Sequence, residues 1–330
     1  MTAPLALTCG DPAGVGPEIT LKAWQQVKGH LAFVLIADAN MMANLGKAAG
    51  VPITRIETAS EAAAVMPNAL PVLHEPLPVP PVPGQPELRN AAAVIASIDR
   101  AVALTRSGKC SAVVTNPIAK KVLVDGADFA HPGHTEYLAA LGGVERSVMM
   151  LVAPELRAVP VTIHIPLSEV PAALTPDLLE QTLRITHEAL CHDFAISKPR
   201  IAVAGLNPHA GECGLLGTED DNVIRPVLAR LAAEGMDLRG PLPADTMFHP
   251  PARAHYDAAV CMYHDQALIP VKTLGFSVGV NVTLGLPFVR TSPDHGTAFD
   301  IAGTGQADPD SLIEALRIAA SIADNRAETA

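Results

Sequence analysis

The chain has 330 residues, of which 49% are hydrophobic and 17% charged, with a formal net charge of −11. That length can bury a large core divided between two lobes, and the acidic balance argues against nucleic acid as a general partner. No apolar run approaches the roughly 18 residues of a membrane-spanning helix, and five cysteines without a CxxC pair suggest neither a disulfide framework nor a cysteine zinc site. The amino terminus lacks the basic segment and long apolar core of a signal peptide, so a cytoplasmic location is expected. So high an apolar fraction points to a buried interface between subunits.

Along the chain, a short β-type segment leads into GDPAGVGPE (10–18), where Pro17 is placed to open a helix. A glycine-rich turn before a helix amino terminus suits an anion or a close ligand backbone, although this is not the GxGxxG spacing and a simple turn competes. Residues 31–37, 111–115, 147–152 and 201–204 are continuous apolar runs, the pattern of strands covered on both faces. Eight prolines between Met66 and Pro86 remove ladder donors, so this stretch is expected to be an irregular surface excursion. Apolar residues from Ala91 to Thr105 follow helical spacing, with Gly108 as the stop. HPGHTE (131–136) opens another helix-like stretch, and His134 with Thr135 at a helix amino terminus is well placed to bind phosphate; capping by Thr135 is the plainer alternative. Thr175 reads as an N-cap before Pro176 of a helix running to Leu190. Residues 221–234 and 310–325 give two further helices, and the tail 326–330 is expected to fray. Alternating strands and helices predict an α/β fold with a largely parallel sheet.

Three β-type runs end on a histidine: His164, His209 and His264. The carboxyl ends of strands in an open α/β sheet line a common crevice, so three imidazoles there suggest a metal site with positions left open for substrate. A lone histidine at a strand end is more often a hydrogen-bonded loop residue; the case rests on recurrence and on neighbours. His209 lies in GLNPHAGE (205–212), whose glycines allow turns that gather Asn207, His209 and Glu212, while Asp265 and Gln266 follow His264. Lys272, Asn281 and Arg290 supply the cations and amide that an anionic substrate needs in an acidic chain. After Arg290, the loop 291–303 carries His295, which can stack on adenine, and Asp300, which can accept from ribose hydroxyls.

Taken in order, GDPAGVGPE, HPGHTEYLA, GLNPHAGE, ADTMF, MYHDQALIPVK and GVNVTLGLPFVRTSPDHGTAFDIAG resemble the motif series of the 4-hydroxythreonine-4-phosphate dehydrogenase family, over residues 10 to about 306. The resemblance implies a two-lobed isocitrate/isopropylmalate dehydrogenase-like fold with largely parallel mixed sheets and a central crevice. A discontinuous NAD-binding lobe would comprise 1–124 and 266–330, and a metal, substrate and dimerisation lobe 125–265. It further implies NAD or NADP as cofactor, one divalent metal (Zn, Co or Mg) per subunit on His164, His209 and His264, and a phosphorylated substrate on His134, Thr135, Lys272, Asn281 and Arg290. The opening Gly10, Asp11, Gly14 and Gly16, with His295 and Asp300, would contact the cofactor. Asp245 and Asp265 would orient the histidines or relay a proton. A homodimer with sites at its interface is implied as well. The reaction would be oxidation of a 3-hydroxyl followed by decarboxylation, in pyridoxine phosphate biosynthesis. Rival readings are dehydrogenases of 4-phosphothreonate or of a cis-dihydrodiol, and, from another class, a metal-dependent hydrolase.

Overall fold

The structure, a computed structural model, describes residues 3–329. Its strands are β1 (Leu5–Thr8), β2 (Phe33–Ala37), β3 (Ile53–Ile56), β4 (Leu70–His74), β5 (Val113–Val114), β6 (Val148–Ala153), β7 (Leu156–Pro160), β8 (Arg200–Ala204), β9 (Asp237–Leu242), β10 (Ala258–Cys261), β11 (Val280–Leu284) and β12 (Arg290–Pro293). Helices alternate with them, as the sequence predicts, and the chain divides into two compact units. The first is Met1–Ser147 with Leu286–Asp324, and the second Val148–Gly285 with Asn325–Ala330.

The first unit contains strands in the order β3-β4-β2-β1-β5-β12, every pair parallel. β1 and β2 are buried along their whole length, which is why they read as unbroken apolar runs with no polar face. Helices Ala39–Ala49 and Ala91–Arg106 pack against this sheet, and Gly16–Val27 packs against the first of them; Ala91–Arg106 is followed by Gly108 at φ +73, the expected stop. The proline-rich stretch departs from expectation. It contains β4, which pairs with β2 on one side and β3 on the other and carries Pro71 near its start; only the following residues are irregular. One proline near the start of a strand costs few ladder bonds, and Leu70, Val72 and Leu73 fill the core.

In the second unit the order is β11-β6-β7-β10-β8-β9, with β6 antiparallel to both neighbours and the remaining pairs parallel. Helix Pro176–His192 starts where predicted, the Thr175 hydroxyl accepting from the Leu178 N–H at 3.2 Å. The predicted helix at 221–234 is a π-helical segment, Asp220–Ile224, running into the α-helix Arg225–Ala233. The tail expected to fray is instead helical to Thr329. Arg326 pairs with the buried Asp193 through Nε at 2.6 Å and Nη2 at 3.0 Å, which anchors it.

The units divide after Ser147 and after Gly285, later in the chain than the 124/125 and 265/266 boundaries expected. Packing explains both places. Leu138 and Ala139, on helix His134–Gly142, belong to the first unit's core with Ile98, Leu286 and Phe288. Ala267, Leu268 and Val271, on helix His264–Gly275, belong to the second unit's core, and β11 pairs with β6.

Candidate active site

In the first unit β1 has β2 on one side and β5 on the other, so the strand order reverses there. Loops leaving the carboxyl ends of strands at such a reversal are where open α/β sheets bind ligands. Three loops meet at this point. The Asp11 N–H donates to the Pro117 carbonyl at 2.8 Å, joining the loops after β1 and β5, and the Val15 N–H donates to the Thr297 carbonyl at 2.9 Å, joining the loop after β12. Gly10 has φ +66, and a Cβ there would lie 2.6 Å from the Pro117 carbonyl; at Gly14 it would lie 2.8 Å from that of Thr297. Packing of the protein against itself thus accounts for Gly10 and Gly14, and for Gly16 against the Cys9 carbonyl at 3.0 Å. Asp11 is buried, accepts from the Ala13 N–H at 3.0 Å, and has its carboxyl pKa raised by burial against that bond's opposing pull.

The loop after β12 leaves more room for a ligand. A Cβ at Gly296 or Gly305 would enter open space, and His295 and Asp300 are exposed. A cleft of about 400 Å³ runs along Gly14, Glu18, Lys22, Leu45, Pro83 and Gly303; His295 and Asp300 lie outside its lining. Glu18 and Lys22, which the sequence reading did not single out, hold this loop. The Glu18 carboxylate accepts from the N–H groups of Gly303 (3.2 Å), Gly305 (3.3 Å) and Ala307 (3.1 Å). Lys22 binds Glu18 at 2.9 Å and donates to the Gly305 and Ala307 carbonyls at 2.8 and 2.6 Å.

His134, Thr135 and Arg290 also belong to the first unit. Helix His134–Gly142 has Gly133 at its N-cap and no side-chain cap, so Thr135 is not used for capping. Arg290 opens β12, is 3% exposed, and donates from Nη2 to the Thr115 hydroxyl at 2.8 Å. Burial lowers its pKa to about 10, opposed by Glu136, so it stays charged at neutral pH. The His134 Nε2 is buried without a hydrogen-bond partner, and burial followed by the Arg290 charge holds its pKa well below the usual histidine value. A neutral imidazole and a buried guanidinium form a site suited to an anion with both donor and acceptor groups.

The three histidines lie in the second unit, beyond the carboxyl ends of the adjacent parallel strands β7, β10 and β8. Each strand stops a few residues short of its histidine. His164 (φ 47) and His209 (φ 53) are in left-handed loop conformations, and His264 begins helix His264–Gly275. Hydrogen bonding continues past β7 and β10, Thr162 donating to the Met262 carbonyl from its hydroxyl at 2.8 Å. The His164 and His264 rings are 5.6 Å apart between centroids and share a pocket with Asp265 and Tyr263. Asp265 Oδ1 is 2.7 Å from His264 Nδ1, which leaves Nε2 to face a ligand. His209 is exposed and does not line that pocket; among the described residues no three ligating side chains of one chain form a metal-sized group. Asn207, expected to gather with His209 and Glu212, instead donates to Glu219 at 2.8 Å and Asp220 at 3.0 Å. Gln266, which follows His264 and Asp265, is buried and ties the Met262 N–H to the Gly205 carbonyl, at 2.7 and 2.8 Å. Asp245 is exposed in the turn after β9; Asn281 lies on β11 with a buried Oδ1 lacking a hydrogen-bond partner; and Lys272 stands 5.6 Å from the Phe276 ring.

The family described as "Pyridoxal phosphate biosynthetic protein PdxA" matches residues 30–319. The chain belongs to this family. It is 55% identical to the 4-hydroxythreonine-4-phosphate dehydrogenase of Roseobacter denitrificans over 323 residues, covering 98% of each chain. It is similar to the crystal structure of the enzyme of that name from Klebsiella pneumoniae, with TM-score 0.88, 38% identity and 98% of each chain covered. A terephthalate 1,2-cis-dihydrodiol dehydrogenase from Burkholderia xenovorans is a more distant likeness, with TM-score 0.67, 30% identity and 97% and 98% covered. Membership of the PdxA family agrees with the α/β fold and its mostly parallel strands. No helix of the described residues is long and apolar enough to cross a membrane.

Proposed function

We propose that the chain is an NAD- or NADP-dependent dehydrogenase that oxidises the 3-hydroxyl of 4-phosphooxy-L-threonine. The product, 2-amino-3-oxo-4-phosphooxybutanoate, loses CO₂ to give 3-amino-2-oxopropyl phosphate. The observation that carries this reading is the buried, charged Arg290 beside neutral His134, a site chemistry suited to a phosphate group. Arg290 and Thr135 would take the phosphate, with His134 donating or accepting at its edge; Lys272 and Asn281 are assigned to the same substrate by the family resemblance. An uncharged cis-dihydrodiol gives the Arg290 charge no counterpart, whereas a carboxylated one such as that of terephthalate does.

His164, His209 and His264 would hold one divalent metal ion, and an all-imidazole donor set suits zinc or cobalt better than magnesium. The bound metal supplies Lewis acidity toward the substrate hydroxyl, and bound NAD supplies the hydride acceptor. Asp265 accepts from His264 Nδ1–H and so fixes the tautomer and ring direction. That engagement leaves Asp245 as the remaining carboxylate candidate for taking a proton. His164 and His264 adjoin in one chain while His209 stands apart, and the exposed Ile165, Leu167, Leu215 and Ile269 lie on the loops and helix that carry these histidines. Both features support a twofold dimer that completes the metal site across its interface. The test is reduction of NAD on a panel of phosphorylated and unphosphorylated hydroxy amino acids with added Zn²⁺, Co²⁺ or Mg²⁺. Turnover confined to the phosphorylated amino alcohol is expected; equal rates on its unphosphorylated analogue refute the assignment.

A further inference from the structure

We infer that Asp220 is a positioning residue for the metal centre: its buried carboxylate sets the left-handed loop from which His209 is presented. The inference rests on the reading of His209 as a ligand. From His209 to Cys213 five consecutive residues have positive φ, and four of them are not glycine: His209 (φ 53), Ala210 (φ 53), Glu212 (φ 44) and Cys213 (φ 57). For an L-residue this conformation costs roughly 1–2 kcal/mol, so such a run persists only where its surroundings hold it. Main-chain bonds such as Ala210 N–H to the Asn207 carbonyl at 3.0 Å close the run itself, and one buried side chain fixes the segment that leads into it. Asp220 is fully buried; Oδ1 accepts from the Leu206 N–H at 2.9 Å, and Oδ2 accepts from the Asn207 N–H at 3.1 Å and from Asn207 Nδ2 at 3.0 Å.

The loop closes on this carboxylate from both flanks. A Cβ at Gly205 would lie 2.7 Å from Oδ1 and one at Gly211 would lie 3.2 Å from Oδ2, so the two glycines bracketing His209 are the residues that let the backbone reach Asp220. Asp220 itself begins the π-helical segment Asp220–Ile224, a local distortion that recurs at functional sites. From the other side, Gln266 ties the Gly205 carbonyl to the turn before His264. A buried carboxylate is costly unless its lone pairs are satisfied, and here they are satisfied by the segment that carries His209. Asparagine in its place would turn an N–H₂ toward N–H donors while conserving size and shape.

The experiment is calorimetric titration of Co²⁺ into the metal-stripped, full-length protein, comparing wild type with Asp220→Asn, Asn207→Ala and His209→Ala. Asp220→Asn is expected to weaken Co²⁺ binding by about 10- to 100-fold, the range for groups that orient metal ligands. Its NAD affinity and the cooperative unfolding of its metal-free form should be retained, and saturating Co²⁺ should restore kcat. Asn207→Ala, which removes one donor from the carboxylate, should shift Co²⁺ affinity in the same direction by less, and it decides the matter if Asp220→Asn does not fold. Unaltered Co²⁺ affinity in these variants, beside its loss in His209→Ala, overturns the role of Asp220 while leaving the ligand assignment standing. Parallel loss of NAD binding and of cooperative unfolding in Asp220→Asn and Asn207→Ala overturns it too, as a general structural effect. Equal Co²⁺ binding by His209→Ala and wild type overturns both readings.

Discussion

In the first unit the loops beyond β1, β5 and β12 meet through main-chain hydrogen bonds, with Gly10 and Gly14 letting backbones touch, while Glu18 and Lys22 fasten the far end of the β12 loop. In the second, the loops beyond β7 and β8 place non-glycine residues, His164 and His209, in left-handed conformations, and side chains such as Asp220 and Gln266 hold the β8 loop. Both regions lie at the carboxyl ends of parallel strands, so the topology is shared and the device differs. Where loop backbones must touch one another, glycine removes the side chain that would stand in the way. Where an imidazole is proposed as a metal ligand, the strained residue cannot be glycine, so the conformation has to be imposed by neighbours.

The largest effect is expected at His209. His209→Ala should abolish turnover and metal content together while the fold persists, since this exposed side chain adds little to the core. Elemental analysis and circular dichroism check it, and full metal content with normal turnover would remove His209 from the site. Arg290→Ala should act on the other unit's chemistry, raising KM for the phosphorylated substrate by roughly 10- to 150-fold, about 1.5–3 kcal/mol, with NAD affinity near normal. Steady-state kinetics on the panel above would show this, and an unchanged kcat/KM would exclude Arg290 from the phosphate site. Glu18→Gln should loosen the loop at Gly303–Ala307 and weaken NAD about 3- to 10-fold, consistent with loss of charge-assisted acceptance from backbone N–H groups. Co²⁺ affinity should not change, and equal losses of NAD and Co²⁺ binding would erase the distinction drawn between the units. Smallest in its effect on activity is Arg326→Ala. It breaks a bidentate pair whose Asp193 is 4% exposed and whose arginine is 29% exposed, so about 1–3 kcal/mol of stability should go, with kcat intact. Denaturant unfolding measures it.

Much of the fold was legible because it rests on local pattern. The unbroken apolar runs of β2 and β8, the helical spacing from Ala91 with Gly108 beyond it, and the Thr175 cap each need only neighbouring residues. β4 escaped because Pro71 and the prolines after it mask a buried strand, and the helical tail escaped because its anchor, Asp193, is 133 residues away. The candidate site divides in the same way. His164, His209 and His264 were legible as endings of β-type runs, and the structure sets them beyond three adjacent strands. Asp220, Glu18 and the roles of Lys22 and Gln266 were not. Their partners are backbone N–H and C=O groups, which every residue carries, so sequence gives no sign of which carboxylate meets which loop.

The proposed reaction removes hydride from C3 of a phosphorylated amino alcohol. The most direct measurement uses 4-phosphooxy-L-threonine carrying deuterium at C3, incubated with NAD, with mass analysis of the reduced cofactor and of the products. Singly deuterated reduced cofactor formed together with CO₂ and 3-amino-2-oxopropyl phosphate, and suppressed by a chelator, is the predicted result. Release of inorganic phosphate, or consumption of substrate with the cofactor left oxidised or reduced without deuterium, would contradict the account.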